Sequence, residues 1–97
     1  MMRNIFLGFI RIHILHHANE GEIFGVEMMD ELRGHGYSIS AGTLYPILHS
    51  LEDGGYLTRR DTVVDGKVRK YYRITEKGVD ALEEAKKKIK ELVEEVI

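Results

Sequence analysis

The stretch from Ser40 to Leu57 constrains the fold more than any other part of this chain, because it combines an apolar stripe with an edge almost free of charge. Its aliphatic residues recur three and four positions apart, which is the spacing of a buried helix face. These residues are Leu44, Ile47, Leu48 and Leu51. The pattern predicts a helix that packs on a core through one side.

The opposite edge of this predicted third helix carries small and hydrogen-bonding residues where a surface helix usually has lysine and glutamate. The residues on or beside this edge are Gly42, Thr43, Tyr45, Pro46, His49, Ser50 and Asp53. An edge of this kind can approach a polar partner closely, and the major groove of DNA is one such partner.

Length and composition indicate one small globular domain. The chain has 97 residues, with 43% hydrophobic and 31% charged side chains and no cysteine. A chain without cysteine has no disulfide framework and suits a reducing cytoplasm, where we expect it to be located. The first apolar stretch, from Ile5 to Leu15, is too short to cross a bilayer, so we expect no membrane partner.

Charge is distributed unevenly along the chain. The net charge is −2, but residues 59–77 carry seven basic and three acidic side chains, a local charge of +4. The local field, rather than the net charge, governs contact with phosphates. A solvated charged hairpin is the alternative interpretation, but the position directly after the third helix favours a surface for nucleic acid.

A first helix is predicted from Arg3 to His17, followed by a loop over residues 19–22. Its apolar residues cover most of its circumference, so it has to be covered on two sides. A domain this small can hardly do so alone, which points to a partner subunit.

A second helix is predicted from Phe24 to Arg33, and the glycines of residues 34–36 end it. Its inward positions are Gly25, Met28, Met29 and Leu32. Ser38 or Ser40 is then expected to cap the third helix. Two short helices joined by a glycine-containing turn form a helix-turn-helix outline.

Two strands, Leu57–Val63 and Val68–Ile74, are predicted to form a hairpin around Asp65-Gly66, a dipeptide that tolerates positive φ. Alternation places Tyr72 and Ile74 on the core. Three other residues are expected toward the tip, free to contact a partner: Arg69, Lys70 and Tyr71. A helix-turn-helix followed by a basic hairpin is a winged helix, so residues 1–78 are predicted to form a mainly α domain with a small β-hairpin, an α+β fold.

The last helix, capped by Thr75, is predicted to dimerise through residues 79–97. Its apolar residues step by three and four, as in a coiled-coil seam. A lysine block precedes a glutamate block, so an antiparallel crossing would pair opposite charges. The blocks are Lys86, Lys87, Lys88 and Lys90, then Glu91, Glu94 and Glu95. The alternative is pairing within the helix, Glu83 with Lys87 and Glu84 with Lys88. The expected interface with helix one comprises Ile5, Phe9, Ile12, Leu82, Ala85, Ile89, Leu92 and Val96.

Three short motifs, in this order and spacing, resemble the PadR family of bacterial and archaeal transcriptional regulators. They are SAGTLYP at residues 40–46, RKYY at 69–72 and TEKG at 75–78. The resemblance covers essentially the whole chain and implies a winged-helix homodimer that binds palindromic operator DNA. Such regulators usually repress, and a small-molecule effector often releases them. Two departures are Val26, where relatives often have an aromatic residue, and the absence of tryptophan, which speaks against sensing of flat drug-like ligands.

The DNA-contacting residues are predicted on the third helix and the hairpin. They are Ser40, Gly42, Thr43, Tyr45, Pro46, His49, Lys67, Arg69, Lys70 and Tyr71. For two of them a structural role stays open, because Tyr45 could lean onto the second helix and Pro46 could merely shape the third.

Other classes of function have less support. The chain offers no cysteine, no glycine-rich phosphate loop and no paired carboxylates, so we expect no enzyme and no cofactor. A winged helix used only for protein contact is the alternative function. His13, His16 and His17 are taken as surface or interface histidines, and a metal-responsive role for them is left open. The operator, the regulated genes and the sign of regulation do not follow from the residues.

Overall fold

The computed structural model describes residues 2–97, which form four helices and three strands. In chain order the elements are α1 (Met2–Glu20), β1 (Ile23–Phe24), α2 (Gly25–Gly34), α3 (Ala41–Asp53), β2 (Leu57–Val64), β3 (Lys67–Ile74) and α4 (Glu76–Val96). The predicted mainly α fold with a helix-turn-helix and a hairpin is confirmed.

The turn residues explain why β2 and β3 form a hairpin, which is called the wing below. Asp65 and Gly66 both have positive φ, 52° and 77°, as a two-residue turn between twisted strands requires. The antiparallel register runs from Leu57 opposite Ile74 to Val64 opposite Lys67. Each strand is one residue longer at the turn than predicted, because Val64 and Lys67 still pair.

A third strand was not predicted. β1 pairs antiparallel with β3, Ile23 opposite Tyr72 and Phe24 opposite Tyr71, so the sheet order is β1-β3-β2. Two residues are too few to show a period, so the sequence carries no signal for this strand. Because Phe24 belongs to β1, helix α2 begins at Gly25 rather than at Phe24.

A single hydrophobic core joins all four helices and the sheet. Its fully buried side chains are Ile14, Met28, Leu32, Leu44, Leu48, Tyr72 and Leu82. The predicted stripe of α3 is confirmed, since all four of its aliphatic residues are buried. Helix α1 extends to Glu20 instead of ending at His17, because Ala18 is 2% exposed and continues the buried face; the predicted loop therefore begins at Gly21.

Helix α4 begins as predicted, with the Gly78 N–H donating to Thr75 Oγ1 over 3.1 Å. The alternative pairs, Glu83 with Lys87 and Glu84 with Lys88, do not form: among residues 2–97, Lys86 pairs with Glu83 at 3.0 Å and Lys88 with Glu91 at 3.6 Å. These pairs are three positions apart, where side chains on a helix also meet.

An apolar face of α1 and α4 remains uncovered in the single chain. Of the predicted interface residues, five are exposed: Ile5, Phe9, Ile89, Leu92 and Val96. Ile12 and Ala85 are half-buried, whereas Leu82 is 1% exposed and belongs to the core of its own chain. Leu82 therefore has almost no surface left for a partner. Within residues 2–97, no helix is long and apolar enough to span a membrane.

Candidate nucleic-acid interface

Burial of the α3 stripe turns the opposite edge of the helix outward. Gly42, Pro46 and His49 are exposed on that edge, and Thr43 and Tyr45 are half-buried beside it. All five residues predicted from α3 therefore lie on or next to one exposed, nearly uncharged surface. His49 Nδ1 lies 3.9 Å from Glu52 Oε1, the nearest negative group to it.

Ser40 occupies the N-cap position of α3 but does not cap it with its side chain, contrary to prediction. Its hydroxyl donates instead to Thr43 Oγ1 over 3.4 Å. Its carbonyl accepts from the N–H groups of Thr43 and Leu44. The Ser40 hydroxyl is thus exposed at the positive end of the helix dipole.

Pro46 is the sixth residue of α3, well inside the helix. Proline has no N–H, so the Gly42 carbonyl four residues earlier lacks its helical partner. The loss of this hydrogen bond is tolerated because Gly42 and Pro46 are exposed, so water can bond to the carbonyl instead. Because Gly42 and Pro46 have no long or charged side chain, this edge of α3 is flat and uncharged where they lie.

Tyr45 does lean onto helix α2, as the structural alternative for this residue expected. A Cβ built on Gly25 would lie 2.6 Å from Tyr45 Cζ and still closer to its hydroxyl, so any larger residue at the start of α2 would force the Tyr45 ring to move. Gly25 is buried by this contact. The Tyr45 ring is thereby held against α2, and the residue remains partly exposed.

Between α3 and the wing lies an open groove of about 390 Å³, called the α3–wing groove below. Its lining residues are Phe24, Gly25, Val26, Tyr45, Val68, Arg69 and Lys70. The contribution of β1 and the start of α2 was not predicted, because a sequence pattern does not show which distant segments meet. Val26, which stands where relatives often have an aromatic residue, is 56% exposed here.

Four of the seven basic residues between 59 and 77 have partners inside the chain. Arg60 forms two hydrogen bonds to Glu22, 2.6 and 2.9 Å long, and Arg73 lies 4.0 Å from the same carboxylate. Arg59 lies between Glu52 and Asp61. Lys77 donates to the Gly54 carbonyl over 2.7 Å.

The remaining three are the basic residues predicted to contact DNA: Lys67, Arg69 and Lys70. Among residues 2–97, none of them has a carboxylate within ion-pair distance. Their positive charge is therefore available to a partner. The two groups could not be separated from sequence, because Glu22 is 38 positions away from Arg60.

The outer face of the wing is held by aromatic contacts with β1. The Arg69 guanidinium lies 4.7 Å above the Phe24 ring and donates to Tyr71 Oη over 3.4 Å. Tyr71 packs edge-on against Phe24 and lies under Arg60. Tyr71 is half-buried at the middle of β3, so the expectation that it lies toward the tip is wrong; it supports Arg69 from below.

The Arg60 hydrogen bond is the main reason why the pKa of Glu22 is lowered, with the charges of Arg60 and Arg73 adding to it. The carboxylate therefore stays ionised well into mild acid. It joins the loop before β1 to strand β2, which fixes the base of the wing relative to the helices.

A cluster of histidines lies on the other side of the molecule, where α1 meets the end of α2. The His13 and His35 rings stack with centroids 4.6 Å apart, and His17 lies one turn further along α1. The pKa of His13 is lowered mainly by burial, and further by His35, His17 and His16. His35 was missed because it is far from the other two in sequence.

A second groove, of about 390 Å³, separates α1 from α4 and is called the α1–α4 groove. It is lined by Phe9, Ile12, His13, His16, Tyr37, Leu82, Lys86 and Ile89.

These features define a winged helix-turn-helix protein. The model of the transcriptional regulator PadR-like family matches residues 14–84. The chain is also 46% identical over 96 residues to Transcriptional regulator Rv3488 of Mycobacterium tuberculosis, with 99% of this chain and 90% of that protein covered. The chain belongs to the PadR-like family of transcriptional regulators, which are not enzymes.

Solved structures agree with this assignment. A PadR family transcriptional regulator from Eggerthella lenta has a TM-score of 0.86 and 31% identity, over 99% of this chain and 85% of that chain. Bacillus subtilis PadR, solved in complex with operator DNA, has a TM-score of 0.69 and 29% identity, over 78% of this chain and 45% of that chain.

Proposed function

We propose that this regulator is a homodimeric repressor that binds palindromic operator DNA through α3 and the wing. The observation that carries the proposal is the α3–wing groove, where Tyr45 of α3 and Arg69 and Lys70 of the wing line one open space. Among residues 2–97, neither of these two cations has a carboxylate within ion-pair distance. The similarity to Bacillus subtilis PadR, which was solved with operator DNA, supports it.

In this proposal α3 enters the major groove. Thr43, Tyr45 and His49 reach base edges or backbone, while Gly42 and Pro46 keep the helix surface low enough for close approach. Ser40 and the first amides of α3 bind a phosphate, because a helix N-terminus presents N–H groups and a positive dipole.

The wing supplies sequence-independent affinity. Lys67, Arg69 and Lys70 contact phosphates flanking the site or enter the adjacent minor groove, which positions the protein without reading bases. Tyr71 contributes indirectly: its hydroxyl accepts a hydrogen bond from the Arg69 guanidinium and holds that side chain at the groove.

Two copies associate through the apolar face that α1 and α4 leave uncovered. In an antiparallel crossing, the lysine block of one α4 would lie beside the glutamate block of the other. A two-fold dimer would present its two α3 helices about 34–36 Å apart or a multiple of that distance, which is the spacing of successive major grooves on one side of DNA.

Regulation in this proposal is by occupation of a promoter, with release by a small-molecule effector. The α1–α4 groove is the place where such an effector would alter the spacing of the two α3 helices, because both of its walls belong to the proposed dimer interface. Without tryptophan the groove lacks the large flat surface that would stack on a planar drug.

Selection of bound fragments from native genomic DNA, followed by titration in near-physiological salt, tests the proposal. We expect enrichment of a palindromic site, including the chain's own upstream region. A protein-interaction module without DNA specificity would instead bind all fragments weakly, with an affinity that falls steeply with salt, and would return no common motif.

A further inference from the structure

Three imidazoles, two on α1 and one in the turn after α2, converge where α1 meets the end of α2. His13 and His17 are four positions apart on α1, so they project from the same face. His35 directly follows α2 and stacks on His13. One ring nitrogen from each of the three lies within 4.8 Å of those of the other two. These three residues are called the histidine cluster below.

Backbone hydrogen bonds at the end of α2 and an aromatic contact hold this arrangement. The Tyr37 N–H donates to the Leu32 carbonyl over 2.9 Å, and the His35 N–H donates to the same carbonyl over 3.1 Å. These bonds close the end of α2 and turn His35 back toward α1. Tyr37 then packs edge-on against His13, which limits the rotation of that ring.

We propose that the histidine cluster binds a divalent transition-metal ion of the Zn²⁺ type, with His13, His17 and His35 as its protein ligands. Imidazole nitrogen is a favoured ligand of such ions, and three histidines with one open position form a known zinc arrangement. A Zn–N distance of about 2.0–2.1 Å places ligand atoms roughly 3.3 Å apart. The ring nitrogens, now within 4.8 Å of one another, would have to move closer, and the stacked rings of His13 and His35 would have to tilt so that a nitrogen of each points at the ion.

Two carboxylates next to His17 strengthen the assignment. Nδ1 of His17 lies 3.6 Å from Glu20 and Nε2 lies 3.7 Å from Glu31. Whichever nitrogen binds the ion, the other faces a carboxylate that can accept its proton, which orients the ring and raises its basicity. The carboxylate nearer to the ion can complete the coordination or hold a bound water.

A second set of possible ligands, His16, His17 and Glu20, shares His17 with the cluster. All three lie on α1, and both His16 and Glu20 are more than half exposed. The histidine cluster is the better site because it joins two rigid elements and offers three nitrogen donors. Occupation of one set excludes the other, so the two assignments can be separated by mutation.

Zinc titration of chelator-treated, tag-free protein by isothermal calorimetry tests the site directly. We expect one ion per chain for the wild type. His35→Ala should weaken binding by more than about tenfold, at least the effect of losing a supporting group of a metal site. His16→Ala is the matched control and should bind within about threefold of wild type, since this exposed histidine lies on the same helix but outside the cluster.

Thermal unfolding gives a second readout, because an ion that ties α1 to the end of α2 binds only the folded chain. Added Zn²⁺ should raise the Tm of the wild type and of His16→Ala but not of His35→Ala. Absence of binding by the wild type would overturn the proposal, as would weaker binding by His16→Ala with unchanged binding by His35→Ala. Neither measurement involves DNA, so the outcome is independent of the proposed operator binding.

Discussion

At the residue scale, Gly25 and Tyr45 together shape the surface that would meet DNA. The tyrosine ring lies where a larger residue at position 25 would put its Cβ, so the close approach of α2 and α3 depends on one missing methyl group. From sequence alone, contact with DNA and contact with α2 were competing roles for Tyr45. The structure shows the contact with α2 and leaves Tyr45 partly exposed, so the other role stays open.

Gly25→Ala should displace the Tyr45 ring and lower the free energy of unfolding by about 1–3 kcal/mol, as overpacking of a tight contact usually does. Urea unfolding measures this change. Gly34→Ala is the control, because a Cβ at Gly34 meets no atom within 4 Å, and it should be as stable as wild type. Equal stability of the two variants would show that Tyr45 moves aside freely.

Arg69→Ala should weaken binding to every DNA sequence and reduce the slope of log K against log salt by about 0.9 for each phosphate that the variant no longer neutralises. Titration against a cognate and a scrambled duplex at several salt concentrations measures both effects. Arg33→Ala removes the same charge from an exposed position at the end of α2, where the guanidinium already pairs with Asp30, and should leave the slope unchanged. An unchanged slope for Arg69→Ala would show that the wing does not bind phosphates.

At the element scale, elements that depend on adjacent residues were predicted correctly, whereas contacts between distant segments were not. The wing was predicted from Asp65-Gly66 and its flanking strands, because the turn chemistry is contained in a few adjacent residues. β1 was missed, because its partner on β3 lies almost fifty positions away. The seating of the wing on β1 through Glu22 and Phe24 could not be predicted for the same reason.

Glu22→Gln should loosen the base of the wing at neutral pH. The pKa of Glu22 is lowered in the folded chain, so the carboxylate contributes stability above its unfolded pKa, near 4.5, and that contribution is lost as the pH falls through the lower folded value. The stability difference from wild type should therefore be present at pH 7 and shrink in strong acid. Urea unfolding across this range measures it, and a difference independent of pH would contradict the ion pair's role.

At the scale of the whole molecule, the uncovered face of α1 and α4 is the main feature that a single chain leaves unexplained. Its apolar character was readable from the periodicity of both helices. The sequence did not show which of these apolar residues remain exposed for a partner. Leu82 has the same three-and-four spacing as the exposed residues of α4 and yet lies in the core. The fold buries the seam near the start of α4 and exposes it toward the end.

Leu92→Glu should dissociate the proposed dimer, since it places a charge in the middle of the apolar face. The molar mass from light scattering across a concentration series measures this. Val26→Glu is the matched control: both side chains are 56% exposed, but Val26 lies at the α3–wing groove, away from the apolar face. A monomeric wild type, or a dimeric Leu92→Glu, would contradict the proposed interface.

The central claim is that α3 and the wing read a specific DNA site. The most direct measurement is the ratio of affinities for the selected operator and for a scrambled duplex of equal length, both determined in near-physiological salt. The account predicts a ratio of about 10³ or more, the range of sequence-specific regulators. A ratio near one, with equal salt dependence for both duplexes, would contradict it.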